Sequence, residues 1–185
     1  MVRRYTVSLN EPAQTRWSHV LQDNKSKLDA SMKELDSIVP SGFIFKLVEW
    51  ILAVCVYLNI VYYSDEIKAI SKYTKISVGR LVILQLYYEL NAHCTSILTN
   101  TDSGVCLTRT MDWDLDLLKD LTIIVDFTKN NQVLFSATTW VGYVGIFTGV
   151  KQDVFAVSLN YRRVSNPLYV NLINRDEDYF QTVHT

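Results

Sequence analysis

Apolar residues recur at helical spacing through roughly the first half of the chain and at strand spacing after it. Tyr5-Thr6-Val7-Ser8-Leu9 alternates and predicts a short strand, which Glu11-Pro12 breaks. Trp17, Val20, Leu21, Leu28, Met32, Leu35 and Ile38 then follow helical spacing and predict a helix from Trp17 to Val39, stopped by Pro40-Ser41-Gly42. Phe43 to Tyr63 is the most apolar stretch. Its length tempts a membrane-spanning reading, but Lys46, Glu49 and Asn59 lie inside it, and charges are costly in a bilayer. The expectation is a buried helix first, a helix touching a membrane surface second, and a spanning one third. Ser64-Asp65-Glu66 starts another helix, with its acids placed favourably against the helix dipole. Ser77-Val78-Gly79-Arg80 opens the next, which carries Leu81, Ile83, Leu84, Leu86, Tyr87 and Leu90 mostly inward.

Beyond Ala92 the period changes to two. Thr95 to Leu98 and Val105 to Asp112 flank a turn at Asn100-Thr101-Asp102-Ser103-Gly104. Leu121 to Phe127 and Val133 to Ala137 flank Lys129-Asn130-Asn131-Gln132, and Trp140 to Thr148 and Val154 to Asn160 flank a turn at 149–153. Successive hairpins predict an antiparallel sheet. Gly142 and Gly145 fall inside a predicted strand and suggest a bulge or close backbone approach. The fold class is therefore α+β, a helical N-terminal segment followed by antiparallel sheet. After Arg163 the pattern stops, and Asn174-Arg175-Asp176-Glu177-Asp178 reads as part of a solvated polar tail.

Composition narrows the possibilities. At 185 residues and 49% hydrophobic, the chain can bury one sizeable core. A net charge of −1 and no basic stripe give no reason to expect nucleic acid as a partner. Three cysteines, Cys55, Cys94 and Cys106, make no disulfide framework, and no His/Cys cluster has metal-ligand spacing, so neither metal nor organic cofactor is expected. Met1-Val2-Arg3-Arg4-Tyr5 opens no apolar signal region, and Asn24-Lys25-Ser26 is a glycosylation pattern of the kind that arises by chance.

The candidate chemistry sits where the period changes. A lone cysteine at a helix-to-strand junction is by default a small buried hydrophobe. Folding the first hairpin about Thr101–Asp102, however, sets Cys94 opposite Arg109 or Thr110, with Asp112 nearby. A cation beside a thiol favours its nucleophilic form. Against this, Arg109 and Asp112 three apart could be a surface ion pair, and in a regular strand they point to opposite faces.

Tyr87-Tyr88-Glu89-Leu90, Cys94-Thr95-Ser96-Ile97 and Arg109-Thr110-Met111-Asp112 resemble the acid ceramidase and N-acylethanolamine-hydrolysing acid amidase family of N-terminal-nucleophile hydrolases. Asn130-Asn131, Gly142-Tyr143-Val144-Gly145, Thr148-Gly149, Ser158-Leu159-Asn160 and the opening Tyr5 to Pro12 continue it in the family's order. The resemblance implies a partial αββα sandwich: residues 1–93 as the helical α-subunit-like segment, 94–162 as part of the β-subunit core, and 163–185 as a divergent tail. It implies cleavage between His93 and Cys94, giving an αβ heterodimer in which Cys94 is the nucleophile. Arg109 would orient substrate or nucleophile, and Asp112 would meet the new amino group. Tyr143, Asn160 and Tyr161 are candidate substrate-site residues. The implied substrate is a fatty N-acyl amide lipid, ceramide or N-acylethanolamine. The implied location is lysosomal, and membrane-surface contact would run through Phe43–Tyr63.

Three departures matter. His93 stands where the family tends to carry an apolar residue. The family's Asn-Glu-Arg reads Asn160-Tyr161-Arg162, and a phenol cannot supply a carboxylate's charge at neutral pH. The later part of the family's catalytic subunit, with an oxyanion-hole Asn, has no counterpart here. The rival expectations are an inactive lipid- or protein-binding remnant and an incomplete gene model.

Overall fold

The computed structural model describes residues 2–38, 42–91, 93–102, 104–112, 116–160 and 180–184, with backbone alone at 35–38, 87–91, 93, 112, 116–117 and 180–184. Two sheets and a layer of helices share one core. The larger sheet has the order β1 (Arg3–Ser8), β4 (Thr122–Lys129), β5 (Gln132–Trp140), β6 (Thr148–Lys151), β7 (Phe155–Leu159) and β8 (Phe180–His184). Only the β1–β4 pair in it is parallel. The smaller sheet is the hairpin β2 (His93–Thr101) with β3 (Gly104–Asp112). The α+β class is as the sequence predicts.

Strand periodicity decides which face of the sheet is covered. Along β4, Ile123, Val125 and Phe127 are buried, whereas Ile124, Asp126 and Thr128 are half-exposed. Val7 of β1 and Ala137 and Trp140 of β5 join the buried set. Helices supply its other side: Val20 and Leu21 from α1 (Ser18–Asp23), Leu28 and Met32 from α2 (Lys25–Ile38), and Ile67 and Ile70 from α4 (Ser64–Thr74). Leu81, Val82 and Leu84 from α5 (Val78–Asn91) and Leu118 from α6 (Asp116–Leu121) complete it. The Asn130-Asn131 turn takes positive φ at both residues, 52° and 61°, the left-handed conformation a two-residue hairpin needs.

Four expectations change. The single helix from Trp17 is two, broken at Asn24, whose side chain donates to the Val20 carbonyl (2.9 Å) and to the Tyr5 hydroxyl (2.8 Å) and so competes with the backbone ladder. Asn24 is 1% exposed, a position that cannot take a glycan in the folded chain. Gly142 and Gly145 lie in the loop between β5 and β6 rather than in a strand, with Gly142 at φ 86°. Phe180–His184, expected to be tail, pairs with β7, while the polar run 174–178 lies outside the described residues.

The apolar run gives the largest departure. It folds as α3 (Phe43–Tyr57) followed by a turn, and most of it is exposed: Phe43 by 83%, Trp50 by 64%, Tyr62 by 88%. Val56 is buried, and Leu52 and Ala53 pack against the core. The reason is geometric. α3 crosses α5 so closely that a Cβ at Gly79 would collide with the Glu49 carbonyl oxygen, which buries one stripe and turns the rest outward. Glu49 is accounted for too, paired with Arg80 at 3.1 Å. No helix among the described residues is long and apolar enough to cross a membrane.

Candidate active site

The β2–β3 ladder decides what meets Cys94. Thr101 pairs with Gly104, so the hairpin is centred one residue later than the sequence suggests. Gly104 takes φ 114° there, and the Thr101 hydroxyl donates to its carbonyl at 2.7 Å. Moving the turn by one residue moves every partner by two. Cys94 therefore stands opposite Met111, not opposite Arg109 or Thr110 as expected. A shift of two preserves the face. Arg109 becomes the diagonal neighbour of Cys94, within reach of a long side chain.

That reach is used. Arg109 Nη2 donates to Cys94 Sγ at 3.1 Å and to the Leu159 carbonyl oxygen at 2.8 Å. The guanidinium also lies over the Phe147 ring, 5.9 Å from its centroid. Phe147 is buried between Trp140 (4.4 Å) and Tyr143, whose ring stacks on it at 4.6 Å. Cys94 is half-buried and takes part in no disulfide. The arrangement fixes a thiol against a cation whose own position is set by a main-chain carbonyl and an aromatic wall.

The other candidates divide. Asn160 is beside the hairpin, its Oδ1 accepting from the Ser96 hydroxyl at 3.0 Å. Tyr143 reaches the site through Phe147 rather than by touching Cys94. His93 and Asp112 are register partners at the open end of the hairpin, and their side chains lie outside the described set. Tyr161 lies outside the described residues altogether. Among the described residues no group of His, Cys, Asp and Glu could hold a metal ion.

Sequence reasoning gave no role to several residues the fold brings in. Ser96 is two positions from Cys94, so strand alternation alone puts it on the same face. Phe147, the Leu159 carbonyl and Ser158 are brought in by tertiary packing; Ser158 and Leu159 stand in a motif, but nothing local says that they meet the hairpin. Gln85 is another: from α5 it donates to the Gly142 carbonyl (2.9 Å) and accepts from the Val144 amide (2.7 Å), clamping the loop that carries Tyr143.

Fold and site together define an α+β protein presenting a cysteine–arginine pair on a hairpin, the geometry of a candidate nucleophile. Comparison with known proteins carries this further. A family model for the beta subunit of N-acylethanolamine-hydrolyzing acid amidase matches residues 1–55. Acid ceramidase of Mus musculus is 32% identical over 188 residues, covering 91% of this chain and 48% of the mouse protein. The Bos taurus protein of the same name is 35% identical over 177 residues, 85% of this chain and 45% of its own length. That of Homo sapiens is 31% identical over 188 residues, with shares of 91% and 48%. These matches support kinship with the acid ceramidase and N-acylethanolamine-hydrolysing acid amidase family. It spans about half the length of these curated relatives.

Proposed function

We propose that this chain carries the nucleophile of an amidohydrolase acting on fatty N-acyl lipids, with ceramide or N-acylethanolamine as the substrate class. The observation that carries the reading is the Cys94 Sγ to Arg109 Nη2 contact of 3.1 Å, held from behind by the Leu159 carbonyl. In the first step the Cys94 sulfur attacks the carbonyl carbon of His93. The peptide bond to Cys94 breaks, and the His93 acyl group passes to sulfur as a thioester. Water hydrolyses that thioester, leaving a carboxylate on His93 and a free α-amino group on Cys94. An α-amino group has an ordinary pKa of about 8 and can take the thiol proton as a general base.

The lipid amide then follows the same path. Sulfur attacks its carbonyl, the amine leaves with the proton, and water releases the fatty acid from the thioester. Arg109 holds the sulfur and meets the substrate oxygen. Asp112 steadies the new amino group, and Asn160, Tyr143 and Tyr161 border the substrate. The relatives' names carry the word acid, which makes mildly acidic pH one arm of the test and a lysosome-like compartment the setting.

Intact mass of the purified chain, held at mildly acidic and at neutral pH, tests the reading. Two fragments meeting between His93 and Cys94 are expected. A single uncut mass at both pH values, with no Cys94-dependent hydrolysis of an N-acyl lipid, overturns it. A second reading rests on the bare apolar surface of α3: a lipid-surface binder that does no chemistry. Liposome co-sedimentation that survives Cys94→Ala, in a chain that never cleaves, favours it.

A further inference from the structure

The hairpin bearing Cys94 belongs to a different sheet from β7, which raises the question of what fixes one against the other. Three consecutive residues at the end of β7 reach across. Ser158 Oγ lies 2.8 Å from Ser96 Oγ, the Leu159 carbonyl accepts from Arg109 at 2.8 Å, and Asn160 Oδ1 accepts from Ser96 Oγ at 3.0 Å. A serine hydroxyl has one proton. Since Ser96 spends its proton on Asn160, the Ser158 hydroxyl must be the donor to Ser96. The chain of donation therefore runs Ser158 to Ser96 to Asn160.

Ser96 is the register partner of Arg109 and stands two residues from Cys94, so all three share one face of the hairpin. Ser158 is 2% exposed, buried where an unsatisfied hydroxyl would be costly. The Leu159 amide is itself fixed, donating to the Phe147 carbonyl at 2.8 Å, and Phe147 is the ring beneath Arg109.

We infer that Ser96 is a positioning residue: its hydroxyl, held between Ser158 and Asn160, sets the hairpin on β7 at the one offset where Arg109 meets both the Leu159 carbonyl and the Cys94 sulfur. This inference deepens the proposed function, supplying the part that aligns its nucleophile. Loss of the hydroxyl frees the hairpin to slide relative to β7, and Arg109 then serves one partner at the expense of the other.

The test is the rate at which iodoacetamide labels Cys94 in the full chain, read by mass spectrometry of the peptide containing it. Ser96→Ala is expected to slow labelling about fivefold, the equivalent of one net hydrogen bond. Ser96→Thr, which keeps the hydroxyl, restores it. In an Arg109→Met background Ser96→Ala adds no further slowing, because the two substitutions remove the same alignment. A folded Ser96→Ala chain labelled at the parent rate overturns the inference, as does slowing that multiplies with that of Arg109→Met. Should Ser96→Ala melt below the assay temperature, Ser158→Ala carries the same cycle from the other end of the chain of hydroxyls. Labelling is read whether or not the chain cleaves, so a failure of the proposed hydrolysis leaves this test standing.

Discussion

The α3 crossing and the nucleophile hairpin are held in place by opposite means. α3 is fixed mainly by shape, its backbone lying against Gly79 with no room for a methyl group and a single ion pair, Glu49 with Arg80, beside the crossing. Its outward side, Phe43, Ile44, Leu47 and Trp50, is exposed. The hairpin rests Cys94 and Met111 on the core, but its alignment is set by a few directional bonds between Ser96 and Arg109 and the residues Ser158, Leu159 and Asn160 at the end of β7. Shape tolerates polar or apolar change on the free side and fails abruptly at the crossing. Directional bonds let the fold survive their loss but not the alignment. The first region is thus robust almost everywhere, and the second is sensitive in its chemistry before its stability.

Substitutions separate the two. Cys94→Ala has the largest expected effect, complete loss of self-cleavage by intact mass with the melting temperature little changed. Gly79→Ala strikes the crossing and should cost about 3 kcal/mol or more in urea unfolding, since overpacking against backbone cannot be relieved by a rotamer. Arg109→Lys keeps the charge but not the fork that reaches two partners. It should slow cleavage about tenfold, near the worth of one hydrogen bond to a charged group. Gln85→Ala unpins the Gly142–Val144 loop and should cost about 1–3 kcal/mol through two unsatisfied backbone groups, measured by chemical denaturation. Trp50→Ser comes last, with stability within about 0.5 kcal/mol of the parent because the side chain lies outside the core. Weaker liposome co-sedimentation from the same variant would tie that free face to lipid.

Much of this was legible in the residues. Alternation in Ile123, Val125 and Phe127 and the Asn130-Asn131 turn are local signals, and β4 and β5 form where they predict. The nearness of Cys94 to Arg109 was legible, but neither the register nor the face was. The turn residues 100–104 allow two centres, and the structure takes the one stabilised by Thr101 and Gly104. The break at Asn24 was hidden because its cause is a partner, Tyr5, far from it along the chain. The exposure of α3 was hidden for a different reason. An apolar run states how much surface is available for burial, whereas a crossing helix decides how much is taken. Ser96 was visible as part of a motif and silent about its role until β7 stood beside it.

The parallel pairing of β1 with β4 has one further consequence. β1 lies upstream of Cys94 and β4 downstream, and six register pairs join them from Arg3–Ile123 to Ser8–Thr128. Asn10 adds a reciprocal clasp on Asn130, donating to its side-chain oxygen at 2.9 Å and accepting from its amide at 2.6 Å. A chain severed before Cys94 would still be one particle, its two pieces sewn together by a strand, a clasp and a common interior. The covalent bond between them could then be given up without the pieces drifting apart, and separating them would require denaturant rather than dilution.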